Sequence, residues 1–184
     1  MFRRMRLKMN KSKLHLLDAG IIVELFRLGI WENVVSHFDI SVSEIVAGEA
    51  HFFRDQKGNR QTIDLAEFVD SNRIQSVFAT PSQAQEFLSH FGPDHAERLD
   101  PGELESLACL FSSSEDTLIC SADSIVFIVL GATDNRDWGV SLEEMLKQCG
   151  LARVLDWRFT RKFREKYSDQ GFQDRMTGMG PSGL

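Results

Sequence analysis

Cysteine is scarce in this chain, and the three present (Cys109, Cys120 and Cys149) are odd in number, unrelated in spacing and set among apolar neighbours. That excludes a disulfide framework or a thiolate zinc site and suits small buried hydrophobes in a reducing compartment. Long apolar runs are also missing. Stretches such as Ile125 to Gly131 fall far short of the roughly 20 residues that a bilayer span needs, so the expectation is a soluble, cytoplasmic protein with no membrane partner. The five histidines, at 15, 37, 51, 90 and 95, are scattered, and no pair has zincin spacing. No Walker A or dinucleotide-type glycine pattern follows a strand. A haloacid-dehalogenase-like phosphatase needs a second Asp two positions after the first, but Gly20 occupies that place after Asp18. Serine and cysteine nucleophiles lack a paired base.

Positive charge is scarce outside one segment. Six of the 21 basic residues lie in the first 13 positions, which hold no acid, leaving 15 against 27 acids over positions 14 to 184, a formal −12. A body this acidic argues against gripping duplex nucleic acid by charge alone. It is compatible with an enzyme whose acids hold a metal. The apolar segment after the basic start is broken by Asp18 and Glu24, which argues against a secretory signal.

What is present is enough apolar surface for one domain: 184 residues, 42% hydrophobic, with 14 Phe spread along the chain. The order of elements predicts a Rossmann-like α/β/α fold with a mostly parallel central sheet. Strands are predicted at Leu14–Leu17, Phe38–Val42, Ile74–Ala79 and Thr117–Cys120. Helices are predicted at Ala19–Leu28, around Trp31–His37, from Ser43 through Phe52 and Phe53, over Ile63–Val69, after Thr80-Pro81, and from Asp100-Pro101 to about Phe111. Two more follow from about Ser124 to Leu130 and from the capping box at Ser141 to Gly150. Asp55 to Gln61 reads as a turn around Gly58, and Gly92 to Arg98 as a polar loop. The expected organisation is a basic, flexible segment over 1–13, one domain over 14–150, a basic aromatic C-terminal helix over 151–168, and a disordered tail over 169–184.

Ligands of parallel sheets bind beyond the carboxyl ends of the strands. Asp18 directly follows the first strand, and Asp123 follows Cys120 by three positions with Ser121 between. Each also reads as an ordinary helix cap. Glu49 shares a helical stripe with Ile45, Val46, Phe52 and Phe53, which would aim a carboxylate inward, where it needs a metal, a cation or a cleft. Glu103 is placed as the capping-box partner of Asp100, and Glu105 has no such role. The two lie roughly 200° apart around a helix, so they do not stack on one ligand.

Four segments, in this order, resemble the PIN domain family, related to the flap endonucleases. They are Leu16-Leu17-Asp18-Ala19-Gly20-Ile21-Ile22, Val42-Ser43-Glu44-Ile45-Val46-Ala47-Gly48-Glu49, Gly102-Glu103-Leu104-Glu105-Ser106-Leu107-Ala108 and Ser121-Ala122-Asp123. The resemblance covers about residues 14 to 131. It implies a site in which Asp18, Glu49, Glu105 or Glu103, and Asp123 hold Mg2+ or Mn2+, with Ser121 orienting a ligand, for hydrolysis of a phosphodiester. Many members carry Thr or Ser after the first Asp and a second Asp near the last. Here Ala19 and Gly20 follow Asp18, while Ala122 and Ser124 flank Asp123.

The function implied is an endoribonuclease acting on single-stranded RNA, the toxin of a toxin–antitoxin pair with an antitoxin protein as partner, or a homodimer. A non-catalytic PIN-like binding or scaffold module is the alternative favoured by the missing polar residue after Asp18. A structure-specific DNA nuclease is favoured by the Gly-Glu-x-Glu text. Arg153 to Lys166, with Trp157, Phe159, Phe163 and Tyr167 interleaved, reads either as a single-strand contact or as a helix packing Leu155, Phe159 and Phe163 on the body or on a second subunit.

Overall fold

The computed structural model describes residues 13–55, 57–90, 96–114 and 116–178. The expectations for the basic start before Lys13, for the loop from Gly92 to His95 and for the tail beyond Gly178 fall outside them. The elements are β1 (Leu14–Leu17), α1 (Ala19–Arg27), α2 (Trp31–His37), β2 (Ile40–Ser43) and α3 (Glu44–Glu49). Next come β3 (Phe52–Arg54), β4 (Arg60–Thr62), α4 (Ala66–Asp70), β5 (Gln75–Val77), α5 (Pro81–Ser89) and α6 (Pro101–Ser112). The chain continues with β6 (Thr117–Cys120), α7 (Ser124–Ala132), β7 (Gly139–Val140), α8 (Leu142–Gln148) and α9 (Arg161–Met176). Five strands form a parallel sheet in the order β5-β2-β1-β6-β7, in the Rossmann-like three-layer arrangement. Among the described residues no helix is long and apolar enough to cross a membrane.

Strand alternation divides the core. Leu17 and Cys120 point into the cluster built with α1, α2 and α8. Leu16 and Ile119 point the opposite way, into the cluster built with α6, α7 and Phe163 of α9. Every residue of α7 from Ile125 to Ala132 is buried, because a helix apolar all round needs cover on both sides. The sheet covers one side and α9 the other. A Cβ on Gly131 would lie 2.0 Å from the Ser168 carbonyl oxygen, and one on Gly171 would lie 1.9 Å from that of Ile128, so the two backbones cross in direct contact.

That crossing corrects the C-terminal expectation. Rather than a helix over 151–168 and a disordered tail from 169, residues 151–156 run without helix and Trp157–Phe159 make a single 3-10 turn. Thr160 then caps a helix that continues to Met176. Gly171 serves as a packing position there, so it does not end the helix. A second correction concerns Phe52 and Phe53. The helix from Ser43 stops at Glu49, and the two Phe begin a β-hairpin, with Phe52 opposite Thr62, Phe53 opposite Gln61 and Arg54 opposite Arg60. Asp55 builds its turn, Oδ1 accepting from Lys57 N and Asn59 N at 2.9 Å each.

His15, in the middle of β1, is buried 4.7 Å from the Phe38 ring, with no hydrogen-bond partner for either ring nitrogen among the described residues. Burial lowers its pKa, outweighing the upward pulls of the Lys13 backbone and the Asp39 carboxylate. Below about pH 6.5 the unfolded chain takes up a proton that the folded chain does not, so stability is lost as pH falls through that value. His15→Phe should flatten this loss, read as unfolding midpoints in urea between pH 7 and 5. Gly171→Ala should destabilise by about 1–3 kcal/mol or more, because a methyl group has no room at the crossing; urea titration measures this directly.

Candidate functional site

The sheet order reverses at β1: the chain moves outward to β2 and β5, then returns to lay β6 on the other side of β1. Ligands of such sheets settle in the crevice at this switch point. Asp18 and Asp123 stand there as N-caps of α1 and α7. Asp18 Oδ1 accepts from Gly20 N at 3.1 Å. Its Oδ2 accepts from Ser121 Oγ at 2.7 Å and from Ala122 N at 3.2 Å. Asp123 Oδ1 accepts from Ile125 N at 3.1 Å, and its own amide donates to Ser121 Oγ at 2.9 Å. Ser121, fully buried, therefore ties the loop after β6 to the carboxylate after β1.

A third helix begins at the same place. Asp100 caps α6 through a full capping box, accepting from Glu103 N at 2.8 Å while Glu103 Oε2 accepts from Asp100 N at 2.9 Å. A cleft of about 20 Å³, enough for one water-sized occupant, is lined by Asp18, Glu49, Asp100, Gly102 and Glu103, with Val46, Ser106, Ile119 and Val126 as its floor and walls. Gly102 is the position that lets Glu49 lie against α6, since a Cβ there would stand 2.9 Å from Glu49 Oε2.

The acids perturb one another. Burial, together with the Asp123, Asp100 and Asp18 carboxylates, pushes Glu103 up to about 8, against the pull of the Asp100 amide. Glu49 is raised by partial burial and by Asp100 and Asp18. None of these five acids forms an ion pair with a described Lys, Arg or His. As they stand, no three His, Cys, Asp or Glu side chains among the described residues are grouped as a metal-binding set.

No protein-family model matches this chain, and no curated protein or solved structure is significantly similar to it.

Of the acids singled out in the sequence, Asp18, Glu49 and Glu103 line the cleft, and Asp123 lies within electrostatic reach of Glu103. Glu105 does not join them. Two helical positions turn it away from Glu103, and its Oε2 accepts from Ile45 N at 2.8 Å, closing the start of α3. Glu49 reaches the cleft for a different reason from the one expected. The stripe meant to bury it is broken, with Ile45 37% exposed and Phe52 in a strand, and Glu49 sits at the exposed end of α3. Asp100 and Gly102 were legible only as a cap and a helix start, although Gly beside Glu in Gly-Glu-x-Glu marks the close approach.

Two outcomes separate the glutamates. Glu105→Ala should destabilise by about 1 kcal/mol, the usual worth of a lost N-terminal cap, without altering the cleft; chemical denaturation reads it. Glu103 binds its proton more tightly in the folded chain than in the unfolded one, so its contribution is complete below about pH 4.5 and is lost as pH rises through about 8. In a chelating buffer, Glu103→Gln should match wild type in melting temperature near pH 4.5 and exceed it near pH 8.

Proposed function

We propose that this chain is a PIN-like, divalent-metal-dependent nuclease that hydrolyses phosphodiester bonds, with single-stranded RNA as its substrate. One observation carries the reading: Asp18, Glu49 and Glu103 line one switch-point cleft, Asp123 lies within electrostatic reach of it, and no described cation balances them. Carboxylates brought together without a cation repel one another, whereas an all-oxygen donor set suits Mg2+ or Mn2+. The residues fit such an ion in donor chemistry. Asp18 and Asp123 would hold it, with Glu49 and Glu103 completing the set by rotation of their longer side chains and Glu105 left to its capping role. When bound, the ion supplies a water of lowered pKa and neutralises charge on the phosphate oxygens.

The chain's own groups do the rest. Ser121 Oγ and the Ala122 and Gly20 amides fix both oxygens of Asp18, so its orientation is set before any ligand arrives. Glu103, raised to about 8, holds a proton near neutral pH and releases it when positive charge enters the cleft. The uncompensated acids repel phosphate, which makes substrate entry conditional on the cation. In a toxin–antitoxin pair the chain would act in the cytoplasm, with an antitoxin protein covering the cleft, alone or as a homodimer.

A second reading, a non-catalytic PIN-like binding module, is favoured by the use of Asp18 and Asp123 as helix caps and by Ala19 in place of a polar neighbour. The Gly-Glu-x-Glu text that would point to a structure-specific DNA nuclease counts for less, since its second Glu caps α3.

Labelled single-stranded RNA incubated with the chain and Mn2+ should be cut. Asp18→Asn and Asp123→Asn should each lower the rate on the order of 100-fold or more, while Glu105→Gln retains it. Equal cutting by all four proteins means a contaminant and ends the reading. Mn2+ should raise the melting temperature of wild type and leave Asp18→Asn unmoved. A shift without cutting selects the binding module.

A further inference from the structure

The β3–β4 hairpin carries two arginines in an arrangement that packing alone does not explain. Its inner face is anchored by Phe53, whose ring lies 6.0 Å from that of Phe26 in the last turn of α1. The register puts Phe52, Arg54, Arg60 and Thr62 together on the opposite face. Arg54 and Arg60 are direct cross-strand partners, and both are exposed. Like charges set directly opposite destabilise a ladder. The Arg60 guanidinium also stacks over the exposed Phe52 ring, 3.9 Å from its centroid.

Neither arginine pairs with a described carboxylate. Arg54 Nη1 donates to the Gly58 carbonyl at 3.1 Å, and Asp55 spends its oxygens on Lys57, Asn59 and Gln61. Two arginines of α9 are different. Arg161 pairs with Glu165 at 2.6 Å, and Arg164 pairs with Glu144 through two bonds of 2.9 Å.

We infer that the outer face of this hairpin binds single-stranded nucleic acid, Arg54 and Arg60 clasping a backbone phosphate and Phe52, 39% exposed, offering a base the ring face that Arg60 does not cover. Paired guanidiniums match a phosphate's oxygens in geometry and charge, and aromatic faces accept any base. An anion between the two arginines also turns their repulsion into attraction. Phe52 follows Glu49 by three residues, at most about 11 Å of chain, so the hairpin begins within that reach of a residue that lines the cleft. The inference deepens the nuclease reading and rests on it for the strand's destination.

Binding of a fluorescein-labelled 12-nucleotide oligouridine to the full chain, followed by anisotropy in EDTA, tests the surface without any cleavage. R54Q/R60Q should lose at least about tenfold in affinity, and its log affinity against log salt should flatten by about 1.4, the share of two cations on a single strand. F52L should weaken binding about fivefold or more. Melting temperature serves as the folding control: removing a repulsive pair should leave it unchanged or raised, and if the double variant fails to fold, R60Q alone should still lose affinity. No binding by wild type, or unchanged affinity and salt slope in the variants, overturns the inference. So does displacement of the RNA by polyglutamate at equal charge concentration, which would make the partner an acidic protein. RNA binding that depends on the arginines, without cutting in Mn2+, keeps the hairpin surface and removes the hydrolase.

Discussion

Mutual repulsion among unpaired carboxylates is the constraint on which the rest of this molecule turns. Asp18, Asp100 and Asp123 each cap a helix, and the three helices start around one crevice beyond the ends of β1 and β6. Their amide ends supply partial positive charge that offsets some of the repulsion. Glu103 keeps a proton near neutrality because it is buried and, to a lesser extent, because the aspartates beside it lack any described cation partner. Backbone amides thus hold the acids in place without neutralising them.

Stability must then come from elsewhere in the fold. The two apolar clusters on either side of the sheet, and above all the fully buried α7 between the sheet and α9, supply it, and they meet the charged cleft at Val46, Ile119 and Val126. The link between the two regions is short. α7 starts at Asp123, in the site, and meets α9 backbone to backbone at Gly131, so one helix carries the acid at one end and the tightest packing contact at the other.

Much of this was legible in the residues, for identifiable reasons. β1, α2 and β6 fall where apolar runs and turn residues put them, because strands buried on both faces are short apolar blocks. The capping boxes at Asp100 and Ser141 and the Thr80-Pro81 pair marked three helix starts, since a cap is a local hydrogen-bond pattern that tertiary packing leaves alone. Phe52 and Phe53 misled, because an apolar pair continues a helical stripe as readily as it opens a strand. The Asp55 side chain marks the difference, bonding Lys57 and Asn59 across the turn that joins the two strands. Glu105 was ambiguous for a related reason: whether a glutamate faces a cleft or a neighbouring helix depends on where α3 lies, which is a tertiary fact. The Gly171 contact was hidden because glycine in a polar helix reads as a terminator until another backbone is known to press against it.

The α7–α9 crossing bears on where this domain can be cut. A boundary drawn near Gly150, where the text first suggests one, would strip the cover from Phe127, Ile128 and Ala132 and leave one side of a wholly apolar helix facing water. A fragment shortened in that way would self-associate through the bared surface. The sixteen residues of α9 are therefore part of the smallest unit that can stay monodisperse.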